Sequence, residues 1–371
     1  MECVEINLDE VARGRVVVAM SGGVDSSVVA AMLHTQGHEV VGISMRLYGT
    51  AHGTPGKSCC SPDDLLDARS VASTFGFPFY VANYQKEFQE RIVDYFVSEY
   101  RLGRTPSPCV LCNDHLKFDT LLERMRALEG QFLATGHYAR IEEQEDGRFA
   151  LLRGKDRSKD QSYFLFGLKR EVLSSIRFPL GEMTKDQVRG IALDLGVPTA
   201  TKRESQDICF VAGGDYADFV QARLDADELR PGRMVHASTG EVLGEHEGIH
   251  RFTVGQRRGL GISHPDPLYV QRIDAQSGDV FVDVAENLGR TRFRVDRVNW
   301  QRWETPPDHF DAEVQIRYRH VAVPGRVITE GMPEGEAMVE LFEEERGVTP
   351  GQAAVFYAGD EVLGGGWVRS E

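Results

Sequence analysis

Apolar and polar positions alternate in blocks along the first two hundred residues, and each block has the length of one element. Residues 15–20 are a β-branched run of strand length, and 26–36 read as a helix stopped by Gly37. A second strand is predicted at 39–45, a helix at 63–75 closed by Gly76, and a strand at 77–81. Helical stretches follow at 88–101 and near 117–128, then a short buried strand at 132–134. Such alternation predicts an α/β fold with a parallel, doubly wound sheet that binds ligands at the C-terminal ends of its strands. The loop after residue 20, Met45 and residues 135–138 all fall at such ends.

The period changes after about Cys209. From Gly232 onward short apolar runs are broken by Gly, Pro and Asp, and strands are predicted at 268–273, 280–284, 292–298, 312–318, 337–342, 353–357 and 361–368. The charged stretch 343–346 reads as a solvated hairpin tip. This succession predicts small β-rich modules or a barrel. The expected division is an α/β domain over 1–210, a β-rich central domain over 211–288 and a C-terminal β-barrel over 289–371.

A chain of 371 residues exceeds one typical core, which agrees with several domains. No apolar run reaches membrane-spanning length, and the N-terminus carries acids rather than a basic and then an apolar region, so a cytoplasmic protein is expected. Six cysteines are too few for a disulfide scaffold. Cys109 and Cys112 have Cys-x-x-Cys spacing, and with Cys209 they suggest redox, sulfur or metal chemistry; Cys3, Cys59 and Cys60 read as small buried hydrophobes. The net charge of −15 argues against nonspecific attraction of the whole molecule to nucleic acid. Yet residues 251–326 hold twelve arginines against ten acids, and no lysine follows Lys202. Guanidinium forks suit phosphate recognition, and arginine-favouring codon usage is the plainer explanation.

The loop Ser21-Gly22-Gly23-Val24-Asp25-Ser26 aims a strand's end and a helix's N-terminus at one point. Unpaired backbone N–H groups face outward there, two glycines allow an anion to approach, and Ser21 and Ser26 add hydroxyl donors. Asp25 stands where a carboxylate could hold Mg2+. The loop lacks the Walker and the dinucleotide-binding glycine patterns. It resembles the pyrophosphatase-type loop (PP-loop) of ATP-dependent adenylating enzymes, which split ATP between its α and β phosphates and attach AMP to an oxygen.

Other segments carry further chemistry. Residues 103–113 place two prolines before Cys-x-x-Cys at a helix start, where a thiolate is stabilised. Cys209 has Lys202 and Arg203 shortly upstream, residues 156–163 are polar and aromatic, and 248–261 combine glycines with arginines and His250. Ala-Met-Ser-Gly-Gly-Val-Asp-Ser, Gly-Arg-Thr-Pro-x-Pro-x-x-x-Cys-Asn, Ala-Thr-Gly-His-Tyr, Lys-Asp-Gln-Ser-Tyr-Phe-Leu, Ser-Gln-Asp-Ile-Cys-Phe and Phe-Thr-x-Gly-Gln-Arg-Arg-Gly-Leu occur in that order.

Together these motifs resemble the bacterial tRNA-specific 2-thiouridylases, from about residue 15 to the C-terminus. The resemblance implies ATP-dependent replacement of the 2-carbonyl oxygen of the wobble uridine (position 34) in the Lys, Glu and Gln tRNAs by sulfur. It implies ATP contacts at Ala19, Met20, Ser21, Gly22, Gly23, Val24, Asp25, Ser26, Met45 and Gly136. Cys209 would carry a persulfide supplied by a sulfur-relay protein or a cysteine desulfurase, and Cys112 would be the nucleophile that leaves a Cys112–Cys209 disulfide. Implied tRNA contacts are Ser107, Pro108, Cys109, His137, Lys159, Asp160, Gln161, Arg317, Tyr318 and Gln352. Some members carry Asp at the position of Cys109, so a rival mechanism is an iron–sulfur cluster on Cys109, Cys112 and Cys209 that activates sulfide. A different PP-loop adenylating ligase competes with this reading, as does a non-catalytic RNA-binding or sulfur-carrier module. No membrane partner is expected, and nothing demands more than a monomer.

Overall fold

A computed structural model of the protein describes residues 14–48, 62–203, 208–211 and 215–370; Cys3, Cys59 and Cys60 lie outside them. The chain divides into two compact units, one of residues 1–89 and 111–213, the other of 90–110 and 214–371.

The first unit is built on a five-stranded sheet. Its strands are β1 (Arg15–Ala19), β2 (Glu39–Arg46), β3 (Phe79–Asn83), β4 (Phe132–Thr135) and, after a hairpin of β5 (Ala139–Glu143) and β6 (Phe149–Arg153), β7 (Ile176–Arg177). The order is β3-β2-β1-β4-β7 and every pairing is parallel. Val16, Val17 and Val18 are buried, as β-branched residues of a central strand should be. Helix α1 (Val24–Thr35) buries nine of its twelve residues, among them Val28, Val29 and Leu33, and ends before Gly37, whose φ of +88° suits glycine. Each fully buried Val or Leu contributes roughly 1.5–3 kcal/mol. Helix α2 (Pro62–Phe75) adds Ala68, Val71 and Ala72 to the same core. Since β1 pairs with β2 on one side and β4 on the other, the connection reverses direction here, which opens a crevice beyond the ends of β1 and β4.

Two features of the helical stretches were not predicted. The 88–101 region starts as Gln85–Phe88, widens into a π-helix over Gln89–Val93 and resumes as Asp94–Arg101. Helical structure also begins earlier than residue 117: a turn at Pro108–Leu111 leads into a π-helix over Cys112–Phe118 and an α-helix over Asp119–Ala127.

In the second unit, β8 (Gly232–His236), β9 (Val242–His246), β10 (Leu268–Ile273) and β11 (Val280–Val284) form a sheet in the order β10-β11-β8-β9. The barrel consists of β12 (Gly289–Trp300), β13 (His309–Gln315), β14 (Val323–Ile328), β15 (Ala337–Arg346), β16 (Ala353–Ala358) and β17 (Glu361–Val368). Its order is β12-β15-β14-β13-β16-β17, and β12 pairs with β17 to close it around Val314, Val327, Val339 and Phe356.

Two expectations are corrected here. Residues 343–346 are not a hairpin tip: β15 continues through them, with Glu345 opposite Arg290 and Arg346 opposite Gly289. Charge alone does not end a strand when a strand of opposite charge lies beside it. The strand expected at 312–318 stops at Gln315, whose Nε2 donates to the carbonyls of Arg317 (3.2 Å) and Tyr318 (2.7 Å) and so holds a turn.

Closure depends on the glycines of β17. A Cβ on Gly366 would lie 2.7 Å from the Asp296 carbonyl oxygen and 2.9 Å from a Val298 methyl carbon. Gly366→Ala should therefore destabilise the barrel by roughly 1–3 kcal/mol. A denaturant midpoint equal to that of the unaltered protein would contradict this.

Candidate active site

β1 ends at Ala19, and the chain turns through Ser21, Gly22 and Gly23 into α1. Gly22 has φ +74°, and a Cβ there would lie 2.1 Å from the Asp64 carbonyl oxygen, so only glycine fits. The N-cap of α1 is Gly23, which has no side chain to satisfy the helix's first N–H groups. The loop is held open from within: Ser26 Oγ accepts from Ser21 N (3.1 Å), and Ser27 Oγ donates to Gly23 O (2.8 Å). Met20 is tied to β2 by its N–H to Ile43 O (2.8 Å) and by Ser44 Oγ donating to its carbonyl; buried Met45 follows on β2. Gly136, just past β4, backs onto the loop so closely that a Cβ would stand 2.7 Å from Ser26 N.

Two lysines complete this arrangement, and neither was assigned to it from sequence. Lys202 Nζ donates to Gly22 O (3.0 Å) and Asp64 Oδ1 (2.6 Å) and also pairs with Asp67. Burial pulls its pKa down, but the two carboxylates outweigh that and leave it raised. Lys202 thus clamps the loop to α2. Lys185 Nζ lies 2.7 and 2.8 Å from the two oxygens of Asp25, and the Tyr138 hydroxyl donates to Asp25 Oδ1 at 2.8 Å. Asp25 as a magnesium ligand does not fit this arrangement, because an ammonium group already faces both of its oxygens. Their carboxylate partners lie more than a hundred residues away, which local patterning does not reveal.

Cys112 opens the π-helical segment and is buried, Cys209 is half-buried and Cys109 is exposed. The expected helix-start effect belongs to Cys109, in the first turn from Pro108, since the helix field fades within one turn and Cys112 lies beyond it. Asn113, beside Cys112, donates from Nδ2 to Phe164 O (3.0 Å) and accepts from Lys117 Nζ at Oδ1 (3.1 Å). Phe210, beside Cys209, packs edge-on against Phe88 at 5.6 Å and anchors that segment. Among the described residues no three His, Cys, Asp or Glu side chains form a metal-binding group.

The remaining expected residues divide into those that present side chains and those that hold turns. Asp160 is buried: its oxygens accept from Gly154 N (2.9 Å), Ser162 N (3.1 Å), Ser162 Oγ (2.9 Å) and Arg153 Nη1 (3.2 Å). Gln161 pairs with Tyr138 through its N–H (2.8 Å) and its Oε1 (3.0 Å), which leaves half-buried Lys159 at the edge of that turn. In the other unit, Gln352 Nε2 donates to the carbonyls of Thr105 (2.9 Å) and Pro106 (3.2 Å), fixing the approach to buried Ser107 and Pro108. Arg317 is exposed and Tyr318 half-buried. Some arginines of the arginine-rich stretch are paired with acids on the surface, Arg326 with Asp311 (2.7 Å) and Arg292 with Glu340 (3.2 Å). Arg257 and Arg258 remain exposed.

His137 is half-buried and packs against Phe118 and Phe178, each with ring centres 5.8 Å away, and its Nδ1 lies 2.7 Å from Thr135 Oγ1. Burial, with nearby Lys117 adding to it, pushes its pKa down to about 3.

Three family models match the chain: the tRNA methyl transferase HUP domain over residues 14–213, the tRNA methyl transferase PRC-barrel domain over 217–283 and the aminomethyltransferase beta-barrel domain over 290–368. The chain is 51% identical to a tRNA-specific 2-thiouridylase MnmA of Geobacter metallireducens, covering 97% of this chain and 98% of that protein. It is 49% identical to the protein of that name from Geotalea uraniireducens (96% and 95% covered) and 48% identical to that of Magnetococcus marinus (95% and 98%).

Gly136→Ala should push Ser26 N out of the loop and weaken equilibrium binding of ATP by about tenfold or more, a loss of at least ~1.4 kcal/mol; unchanged affinity would remove Gly136 from the site. His137 stays neutral when folded but takes up a proton near its ordinary 6.5 when unfolded. Its contribution to stability is complete above pH 6.5 and is lost as pH falls toward 3. His137→Gln should flatten the fall in urea midpoint between about pH 6.5 and 4, whereas an unaltered slope would contradict the assignment.

Proposed function

The chain belongs to the tRNA-specific 2-thiouridylase family, and from that premise we propose how its residues carry out ATP-dependent 2-thiolation of uridine in tRNA. The substrate position is the wobble uridine of the Lys, Glu and Gln tRNAs. A uridine in the anticodon loop can be splayed from its neighbours at modest cost and offered to an enclosed site.

The uncapped N-terminus of α1, the Ser21–Ser26 hydroxyls and the glycine-lined approach suit the polyphosphate of ATP. The uracil O2 attacks the α-phosphorus, the bond to the β-phosphate breaks and diphosphate leaves; AMP then sits on the oxygen. This matters because oxide is a very poor leaving group and AMP is a good one. ATP would bring its own Mg2+, since both oxygens of Asp25 face Lys185.

Cys209 then acts as the persulfide carrier. Its terminal sulfur attacks C2, and AMP departs with the former carbonyl oxygen. The Cys112 thiolate attacks Cys209 Sγ, leaving the outer sulfur on the base as a thiocarbonyl and forming a Cys112–Cys209 disulfide, which a cellular thiol must reduce. A reducing cytoplasm would serve this cycle. Among the described residues no helix is long and apolar enough to cross a membrane. The sulfur comes from a relay protein or directly from a cysteine desulfurase. Exposed Cys109 and Arg317 and half-buried Lys159 are positions for RNA contact, with Ser107, Pro108, His137, Asp160, Gln161, Tyr318 and Gln352 shaping the surfaces that carry them.

One observation favours this reading above its rivals. A hydrogen-bonded chain runs from Asp25 in the nucleotide loop through Tyr138 and Gln161 to the Ser162–Phe164 turn and on to Asn113 beside Cys112. An adenylating ligase without sulfur chemistry has no need to join its nucleotide loop to a cysteine. The test is thiolation of wobble-uridine tRNA with ATP and sulfide or persulfide donor, read by nucleoside mass spectrometry. Cys112→Ser and Cys209→Ser should each lower persulfide-dependent product by about a hundredfold or more. Full activity in both variants would favour another ligase, and activity confined to iron-loaded protein would overturn the persulfide scheme.

A further inference from the structure

Gly103-Arg104-Thr105-Pro106 leads directly into Ser107, Pro108 and Cys109, and each of its four residues is held. Gly103 lies against the central sheet, where a Cβ would stand 2.7 Å from Ile273 Cγ2. Arg104 folds back on the helix Asp94–Arg101: its backbone N–H donates to Glu99 O (2.9 Å) and its Nη2 to Glu99 Oε1 (2.7 Å). Thr105 N donates to Pro350 O (2.9 Å), and Gln352 Nε2 donates to the carbonyls of Thr105 and Pro106. Gly351 backs onto the same segment, so that a Cβ there would stand 3.0 Å from Thr105 O and 3.1 Å from Arg104 Cβ. All of these residues belong to the second unit.

Stability alone does not account for the Glu99–Arg104 pair. Glu99 is buried, and so is Arg104 Nε, which has no hydrogen-bond partner among the described residues. Desolvating a carboxylate and a guanidinium cancels much of what their attraction returns, and an orphaned N–H adds to that cost. What such a pair supplies is a fixed geometry.

We propose that Arg104 is a positioning residue for the thiolation reaction: anchored on Glu99, it holds the segment 103–106 so that Ser107–Cys109 receives the target uridine in one fixed place. This rests on the RNA contacts proposed above and deepens them. The helix Asp94–Arg101 holds the segment through Glu99, and the turn before β16 holds it through Pro350, Gly351 and Gln352. RNA bound at Arg317 and Tyr318 of the barrel would therefore meet a base-receiving loop built on the same unit. Attack of the uracil O2 on a phosphorus needs close alignment, and a small displacement of the base costs rate rather than affinity. Arg104 acts through the loop that follows it, so its loss should appear in the chemical step.

The test uses the full-length protein with Glu99→Met and Arg104→Met combined, which removes both charges at similar volume and leaves neither unpaired, so the fold should tolerate the change. The kcat for thiolated tRNA should fall by about tenfold or more, while the Kd for tRNA, the KM for ATP and the urea midpoint hold. A second readout needs no turnover: bound tRNA should slow alkylation of exposed Cys109 by iodoacetamide in the unaltered protein, and the double variant should lose that protection at equal tRNA occupancy. Gln352→Leu, which releases Thr105 and Pro106 without touching the ion pair, should show the same split. Undiminished kcat and protection in both variants would overturn the proposal, as would a rate loss matched by an equal loss of tRNA affinity or of stability. Unaltered protein in which tRNA shields Cys109 but gains no sulfur would count against the proposed function and leave the positioning role standing.

Discussion

The carboxylate of Asp25, held between the ammonium of Lys185 and the hydroxyl of Tyr138, is the interaction on which the site depends. It joins three segments that are distant in sequence: the turn after β1, the chain following β4 and the start of the helix Lys185–Asp194. An ion pair of this kind contributes less to net stability than to geometry, because the cost of desolvating both charges offsets much of their attraction. Removing either partner would leave the other's charge beside the nucleotide loop without its counter-charge. The pair therefore specifies where the first turn of α1 points, and the glycines on either side let an anion reach it.

The same logic extends toward the cysteines. Asp160 has no free role at a surface; it organises the turn that brings Gln161 to Tyr138 and Ser162–Phe164 toward Asn113. The helix beyond Cys112 is a π-helix, a form whose poorer hydrogen-bond geometry persists where neighbouring contacts hold it. Asn113 and Lys117 supply one such contact within the segment. In the other unit Gln352 performs a comparable service for Thr105 and Pro106, so the stretch before Cys109 is fastened by hydrogen bonds as well as by its prolines.

Local pattern reads well where one residue type has one physical use. The β-branched run of β1, the Gly37 stop and the alternation of strands and helices reported the parallel sheet and its switch point. It reads poorly where charge or composition has several uses. The acids at 343–346 belong to β15 because β12 offers arginine opposite them, a partner about fifty positions away. Strands β5 to β9 and β14 went unpredicted, the last because Pro324 and Gly325 weaken a strand that its neighbours nevertheless hold. Proximity in sequence suggests Lys202 as a modulator of Cys209; in space it clamps Gly22 to α2.

By itself, then, the sequence determined the sheet, the anion-binding turn at its switch point, the β-rich second half and the motif set that marks the family. These are local properties, carried by periodicity, glycine freedom and short spacings. Only the tertiary structure decided which charges meet. It turned Asp25 from a free carboxylate into Lys185's partner, made Asp160 and Gln352 fasteners, and gathered Lys159, Lys185, Arg189 and Arg203 around one cavity. Electrostatic interaction depends on distance and burial in space, and neither is written into the order of residues along the chain.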